Sequence, residues 1–285
     1  MHWQNRRQQF RAQLSTNKCV HPASVFDPVS ARIAESLEFE TGMFAGSVAS
    51  LTVLGDPDLI LLTLSEFADQ AYRINRACNL PLMVDADHGY GNALNVKRTV
   101  EELETAGVCG LSIEDTILPR PFGGGKTQLI SVEEGVGKMR AAVAGRQDSS
   151  LVIAARTSAI SVNGIDDTLD RVKAYQQTGV DAIFLIGIKQ LDHLEKIAEV
   201  CRLPLILGGA SADMADLKTL GSMGVRISLQ GHLPVMAAMQ ATFNTMKALR
   251  EGVTPSSIEG IPDKGFVNQY SRQQDFDQWT EMFLE

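Results

Sequence analysis

The sequence is poor in the residues that staple small folds or bind metal in cages. Its four cysteines, Cys19, Cys78, Cys109 and Cys201, lie far apart in 285 residues, and no C-x-x-C pair occurs. That excludes a disulfide framework and a zinc knuckle, and the thiols read as core residues of a protein in a reducing cytoplasm. No apolar run approaches the roughly 18 residues that span a bilayer; the longest, such as Ala182 to Ile188, are strand-sized. Met1 to Leu14 carries Arg6, Arg7 and Arg11 with no apolar stretch behind it, so it reads as a short amphipathic helix and not as a secretory signal. Positive charge is scarce as well. The 26 Lys and Arg against 34 Asp and Glu leave a formal charge of -8, which would repel nucleic acid and anionic membrane over most of the surface. Any basic residues of a functional site must be local, and the expected partners are a small molecule and further copies of the chain.

What the chain does have is ordinary globular material, 44% hydrophobic and 21% charged, enough for one large core. Length alone would suit two domains, but a barrel of about 250 residues folds as one. Periodicity decides between them. Short β-rich runs alternate with helical patterns, and the candidate strands are Ala23 to Phe26, Gly42 to Ala45, Leu82 to Val84, Gly110 to Ile113, Leu151 to Ala155, Asp181 to Ile186, Leu205 to Leu207 and Arg226 to Leu229. Between them, apolar residues fall at i, i+3, i+4 spacing, as in Val96, Val100 and Leu103 or Leu191, Leu194, Ile197 and Ala198. A helix end followed by Gly-Val recurs at Gly107, Gly179 and Gly224, where glycine suits the left-handed position that turns a helix into the next strand. Repeated αβ junctions imply repeated βα units. The expected fold is therefore α/β, a (β/α)8 TIM-type barrel over residues 1–250, followed by a connector and helical tail over 251–285. In that tail Phe276, Trp279 and Phe283 share one face, which requires a surface on the barrel or on a neighbouring subunit.

In a parallel barrel the C-terminal ends of the strands converge on one mouth, where such enzymes keep their chemistry. Those ends read Asp27, Ser47, Asp85 with Asp87, Glu114, Arg156, Lys189, Gly208-Gly209 and His232. Asp85, Asp87 and Glu114 would repel one another and stay partly protonated without a cation among them. Magnesium suits them, because it takes one or two carboxylates and several waters: Asp85 is the direct ligand, and Asp87 and Glu114 act through water. A single aspartate at such a place is more often a helix cap; three on adjacent strand ends point to a metal. Arg156 can hold a substrate carboxylate by its fork, or pair structurally with the same acids. His232 can donate to a carbonyl or carboxylate. Gly46-Ser47 offers backbone N–H groups and a hydroxyl to an oxyanion, and Gly208-Gly209 offers a tight turn or a phosphate cradle.

On these residues the chain resembles the isocitrate lyase and phosphoenolpyruvate mutase superfamily. The resemblance rests on Asp27-Pro28-Val29-Ser30-Ala31-Arg32, Gly46-Ser47-Val48-Ala49-Ser50, Asp85-Ala86-Asp87 with Gly89-Tyr90-Gly91, Ile113-Glu114-Asp115 and Ala155-Arg156, in order between about Val25 and Met246. It implies a barrel whose last helix is exchanged between subunits, a homotetramer built as a dimer of dimers, a Mg2+ site that also accepts Mn2+, and a small α-keto acid substrate. Within the group the chain is most similar to the oxaloacetate decarboxylases. That implies magnesium-dependent decarboxylation of oxaloacetate to pyruvate and CO2 through a metal-stabilised enolate, with Asp85, Arg156 and His232 catalytic and Ser47, Arg156 and His232 contacting substrate. The lyases of the group carry a Lys-x-Cys-Gly-His loop after the fourth strand. Here Pro119 to Thr127 reads Pro-Arg-Pro-Phe-Gly-Gly-Gly-Lys-Thr, without a cysteine, which argues against methylisocitrate-type cleavage. Glycine lets that loop move as a lid, with Lys126 as its candidate cation. The alternatives are a phosphonopyruvate hydrolase or mutase type of activity and a barrel that binds a keto acid without turning it over.

Overall fold

Runs such as Leu82-Met83-Val84 are apolar at every position and too short for a helix, which suits strands buried on both faces. A computed structural model describes residues 2–211, 214 and 216–285. In it such runs form β1 (Ala23–Ser24), β2 (Gly42–Phe44), β3 (Leu82–Asp85), β4 (Gly110–Glu114), β5 (Val152–Thr157), β6 (Ala182–Leu185), β7 (Leu205–Leu207) and β8 (Val225–Ser228). All neighbours pair in parallel in sequence order. Val20, just ahead of β1, pairs in parallel with Ile227 of β8: its N–H donates to the Arg226 carbonyl and its own carbonyl accepts from Ser228 N–H, each at 3.0 Å. The sheet thus closes on itself as a TIM-type barrel.

The helices are α1 (His2–Leu14), α2 (Pro28–Ser36), α3 (Gly46–Ala49), α4 (Leu64–Asn75), α5 (Ala93–Thr105), α6 (Val132–Gly145), α7 (Ala159–Val162), α8 (Ile165–Tyr175), α9 (Leu191–Val200), α10 (Leu217–Ser222), α11 (Leu233–Arg250), α12 (Lys264–Ser271) and α13 (Gln273–Leu284). The expected stripe Val96, Val100 and Leu103 is fully buried, as are Leu194 and Ile197. Gly107, Gly179 and Gly224 have φ of 87, 93 and 86°, the left-handed turn their position demands. At the N-terminal end of the barrel, α1 lays Phe10 and Leu14 into the core, and Arg7 donates to the Val108 carbonyl at 2.9 Å.

Two boundaries differ from expectation in ways that matter. β1 stops at Ser24 because the chain turns into α2: the Phe26 and Asp27 N–H groups donate to Ser30 Oγ at 2.9 and 3.0 Å, while Ser30 N–H donates to Asp27 Oδ1 at 2.7 Å. This reciprocal cap makes Asp27 a helix cap. β5 in contrast runs on past Ala155, so Arg156 lies inside the strand and in register with Glu114, while Asp85 is in register with Ser112.

The chain from α11 onward is less covered. Of the 18 residues of α11 only Val235 is buried, and Leu233, Met236, Met239, Phe243 and Met246 are all exposed. In α13 Phe276 and Trp279 meet edge to face at 5.0 Å between centroids, yet Phe276, Trp279 and Phe283 remain exposed within the single chain. No helix among the described residues is long and apolar enough to cross a membrane.

Candidate active site

Side chains alternate across a strand, so of the consecutive acids after Ile113 only one can face the barrel mouth. Glu114 does so. Asp115 turns the other way, fully buried, and accepts from Arg171 at 2.9 Å and from the Tyr175 hydroxyl at 2.8 Å; it ties β4 to α8 and does not reach the mouth. At the mouth itself a cavity of about 890 Å³ opens, lined by Ser47, Asp58, Asp85, Asp87, Glu114, Arg156, Gly208 and His232 among others.

The centre of this cavity is an ion-pair cluster. Arg156 Nη1 donates to Asp85 Oδ2, and Nη2 lies 3.3 Å from Glu114 Oε2. The guanidinium also sits over the Phe184 ring, 5.6 Å from its centroid. Of the two roles open to Arg156 in the sequence, the ion pair with the acids is the one seen; its Nε–H is fully buried and has no acceptor among the described residues. The other oxygen of Asp85, Oδ1, accepts from Ser112 Oγ and from the Asp87 backbone N–H, both at 3.2 Å. Asp85 is thus oriented from three sides. Thr116 Oγ1 holds Glu114 Oε2 at 3.1 Å.

Asp87 has no such partner and sits on a strained backbone, with φ of 48°. Burial, and then repulsion from Asp85, Asp58 and Glu114, hold its carboxyl well above the ordinary carboxylate range, with Arg156 acting in the other direction. Glu114 is raised too, by burial first, against the pull of Arg156. A Cβ on Gly46 would lie 2.6 Å from Asp87 Oδ1, so the start of α3 approaches this carboxyl only because it has no side chain. The described residues contain no group of three or more His, Cys, Asp or Glu arranged to cage a metal. The donor set is instead several carboxyls against one buried guanidinium, an excess of negative charge that suits a hard cation bound through one or two carboxylates and completed by water.

His232 follows β8 and meets β1: its Nδ1 and Ser24 Oγ are 2.9 Å apart. Burial lowers its pKa, against the attraction of Asp85, which favours the neutral imidazole as a hydrogen-bonding group. Ser47 lies in the first turn of α3 and Gly208 just beyond β7. Three residues singled out in the sequence lie elsewhere. Asp27 caps α2; Lys189 and Lys126 are exposed and do not line the cavity. The loop after β4 faces the cavity through Pro119, Arg120 and Pro121, so its cation there is Arg120, which donates to the Gly124 carbonyl at 2.7 Å. Asp58 is the other residue that sequence reasoning missed. It comes from a loop beyond the π-helical turn Ser50–Leu54 and belongs to no strand end.

The turn carrying Asp85 and Asp87 is fastened from below. Lys138 of α6, 3% exposed, donates to the His88 carbonyl at 2.8 Å. His88 is itself buried, and burial followed by the Lys138 charge lowers its pKa to about 4. A histidine whose folded pKa lies below its unfolded value stabilises the fold above pH 6.5, and that contribution is lost as pH falls toward 4. The size is roughly 3 kcal/mol. In melting curves between pH 7 and 4, His88→Gln is therefore expected to lose less stability than the parent protein; parallel curves would refute the assignment.

The family model described as phosphoenolpyruvate phosphomutase matches residues 10–250. The chain is 51% identical to an oxaloacetate decarboxylase of Bradyrhizobium sp. strain BTAi1 over 285 residues, covering 100% of this chain and 99% of that one. Among solved structures it is similar to a phosphoenolpyruvate phosphomutase from Streptomyces platensis subsp. rosaceus, with a TM-score of 0.87, 26% identity and 98% and 99% of the two chains covered. It is also similar to a phosphonopyruvate hydrolase in complex with oxalate and Mg2+, with a TM-score of 0.86, 25% identity and coverage of 98% and 99%.

Proposed function

The chain belongs to the phosphoenolpyruvate phosphomutase family, and from that premise we propose that it is a carboxy-lyase that converts oxaloacetate to pyruvate and CO2 with a divalent cation, Mg2+ or Mn2+, at Asp85. The observation that carries the reading is the set of carboxyls, Asp58, Asp85, Asp87 and Glu114, gathered around one buried guanidinium in a cavity open at the strand ends. The relative that is half identical over the whole chain is an oxaloacetate decarboxylase, and the phosphonopyruvate hydrolase holds Mg2+ and oxalate, a planar dicarboxylate shaped like the C1–C2 end of oxaloacetate.

The reaction breaks the C3–C4 bond. The electron pair left on C3 delocalises into the C2 carbonyl, and a proton then adds to C3 to give pyruvate. Asp85 directly, and Asp87 and Glu114 through water, would hold a divalent cation, which would supply Lewis acidity toward the ketone, worth several kcal/mol in such reactions. The residues of the chain supply the rest. The Arg156 guanidinium, which lines the cavity, meets a substrate carboxylate, and His232 and Ser47 hold the substrate by hydrogen bonds. No covalent nucleophile is needed: the four cysteines are buried and none lines the cavity.

A panel of oxaloacetate, phosphonopyruvate, phosphoenolpyruvate and methylisocitrate with Mg2+ tests this. Pyruvate release from oxaloacetate should dominate and stop in EDTA. Faster turnover of phosphonopyruvate would favour the phosphoryl chemistry that Gly208 at the cavity wall suits, and binding without turnover of any of the four would make the barrel a keto-acid binder.

The Ser24 hydroxyl gives a finer test, since it fixes the ring of His232 without lining the cavity. Ser24→Ala removes one hydrogen bond, worth about 1 kcal/mol, so kcat/KM is expected to fall about 5-fold, with a melting temperature lower by no more than about 2 to 4 °C, and to recover in Ser24→Thr. Equal loss in both variants would show a packing role instead.

The assembly is part of the same proposal. An apolar groove of about 490 Å³ lies between α2 and the root of α11, lined by Phe26, Val29, Ile33 and Leu233, while the exposed face of α11 has nothing to cover it. A second copy's α11 seated in this groove would bury both, giving a swapped dimer and, by pairing dimers, a tetramer.

A further inference from the structure

A chain with a formal charge of -8 has few cations to place, yet four arginines converge away from the active site. Arg6 of α1, Arg32 of α2, Arg76 at the end of α4 and Arg272 between α12 and α13 line a cavity of about 470 Å³, with Glu35 and Tyr270. The cavity lies beside Ala77, Cys78 and Asn79, which lead into β3, so it opens at the N-terminal end of the barrel, opposite the Asp85 cluster.

The charges here are held in place but not neutralised. Arg6, 8% exposed, donates to the Asn75 carbonyl and to Asn79 Oδ1. Arg32 donates to the Ala77 carbonyl at 3.0 Å and to the Tyr270 carbonyl at 2.9 Å. These acceptors carry no net charge. Capping the C-terminal end of α4 accounts for the position of Arg6, but a helix terminus carries only about half a charge. Arg76 is exposed at the rim, and no carboxylate pairs with it among the described residues. Arg272 alone has a carboxylate partner, Asp275 at 2.7 Å. The one acid in the wall, Glu35, accepts from the Asn79 N–H at 2.7 Å. Even with Asp275 counted beside Arg272, four guanidiniums meet two carboxylates around a concave space of the size that takes small ligands.

We propose that this cavity binds a small polyanion through paired N–H groups of its arginines, the ligand carrying either phosphate or several carboxylates, both of which match the guanidinium fork. Because Tyr270 and Arg272 come from the C-terminal segment and Arg6 from α1, a bound anion ties both ends of the chain to the barrel floor. The site is independent of the active-site reading and stands or falls separately from it.

The test is calorimetric titration of the full-length protein with inorganic phosphate in one arm and tricarballylate in the other. At least one is expected to bind saturably, one per chain, and the arm that does so identifies the anionic group. Arg76→Glu, a change at an exposed and unpaired side chain, should weaken binding at least about 10-fold, and Arg272→Gln should weaken it as well, with pyruvate release from oxaloacetate unchanged in both. No binding of either probe up to about 10 mM, or parental affinity in both variants, would overturn the proposal.

Discussion

An Asp85→Asn protein is expected to fold normally and to lose oxaloacetate turnover by about three orders of magnitude, the rate equivalent of several kcal/mol of Lewis-acid stabilisation. The asparagine keeps an oxygen for the Ser112 hydroxyl and the Asp87 N–H, and Arg156 keeps Glu114 at 3.3 Å, so the local frame survives. It also removes one of the charges that crowd Asp87. Loss of the Asp85–Arg156 pair lowers stability, by up to about 3 kcal/mol, and the relief at Asp87 offsets part of it, so the comparison is made on the folded variant. The decisive readout is not activity alone. A cation bound by the folded state raises the melting temperature by mass action; Mg2+ should do this for the parent protein and not for Asp85→Asn. Equal stabilisation of both would remove Asp85 as the ligand even if the variant were inactive, and substantial turnover by the variant would remove the metal role altogether.

The barrel was legible because the strands are short apolar runs, three of them entered through the recurring Gly-Val helix end at Gly107, Gly179 and Gly224. Position along such a strand also says which residues reach the mouth, which is why Ser47, Asp85, Asp87, Glu114, Arg156, Gly208 and His232 could be named and do line one cavity. Asp27 fails by the same logic. Ser30 follows it at the spacing of a helix cap, and that local competition ends β1 early. Asp58 and Arg120 were beyond reach for another reason. Each sits on a loop whose path over the mouth depends on how it folds back, through the π-helical turn Ser50–Leu54 for Asp58 and the bond to the Gly124 carbonyl for Arg120. Periodicity carries no information about such paths. Nor could it show that Lys138 would be buried beneath the Asp85–Asp87 turn, since one lysine on a helix reads as a solvated one.

Arg156 separates a charge role from a shape role, and its two replacements should fail differently. Arg156→Gln removes the counter-charge of Asp85 and Glu114 inside a cavity where burial already raises Glu114 and Asp87. Breaking a buried pair from one side costs about 3 to 5 kcal/mol. The sign with pH follows from the direction of those shifts. Carboxyls whose folded pKa lies above the unfolded value bind more protons when folded, so their contribution is favourable at low pH and is lost as pH rises through the folded pKa. Without Arg156 that rise is larger, and the melting temperature of Arg156→Gln should fall more steeply than the parent's from pH 4 toward neutrality. Arg156→Lys restores the charge and should return much of that stability. It should not return activity, because an ammonium cannot reach Asp85 and Glu114 with two parallel N–H groups and still present a third toward the substrate. A loss in kcat/KM of about 100-fold or more is expected for both. If Arg156→Lys recovers turnover along with stability, the guanidinium is there for its charge alone, and its fork has no part in holding the substrate.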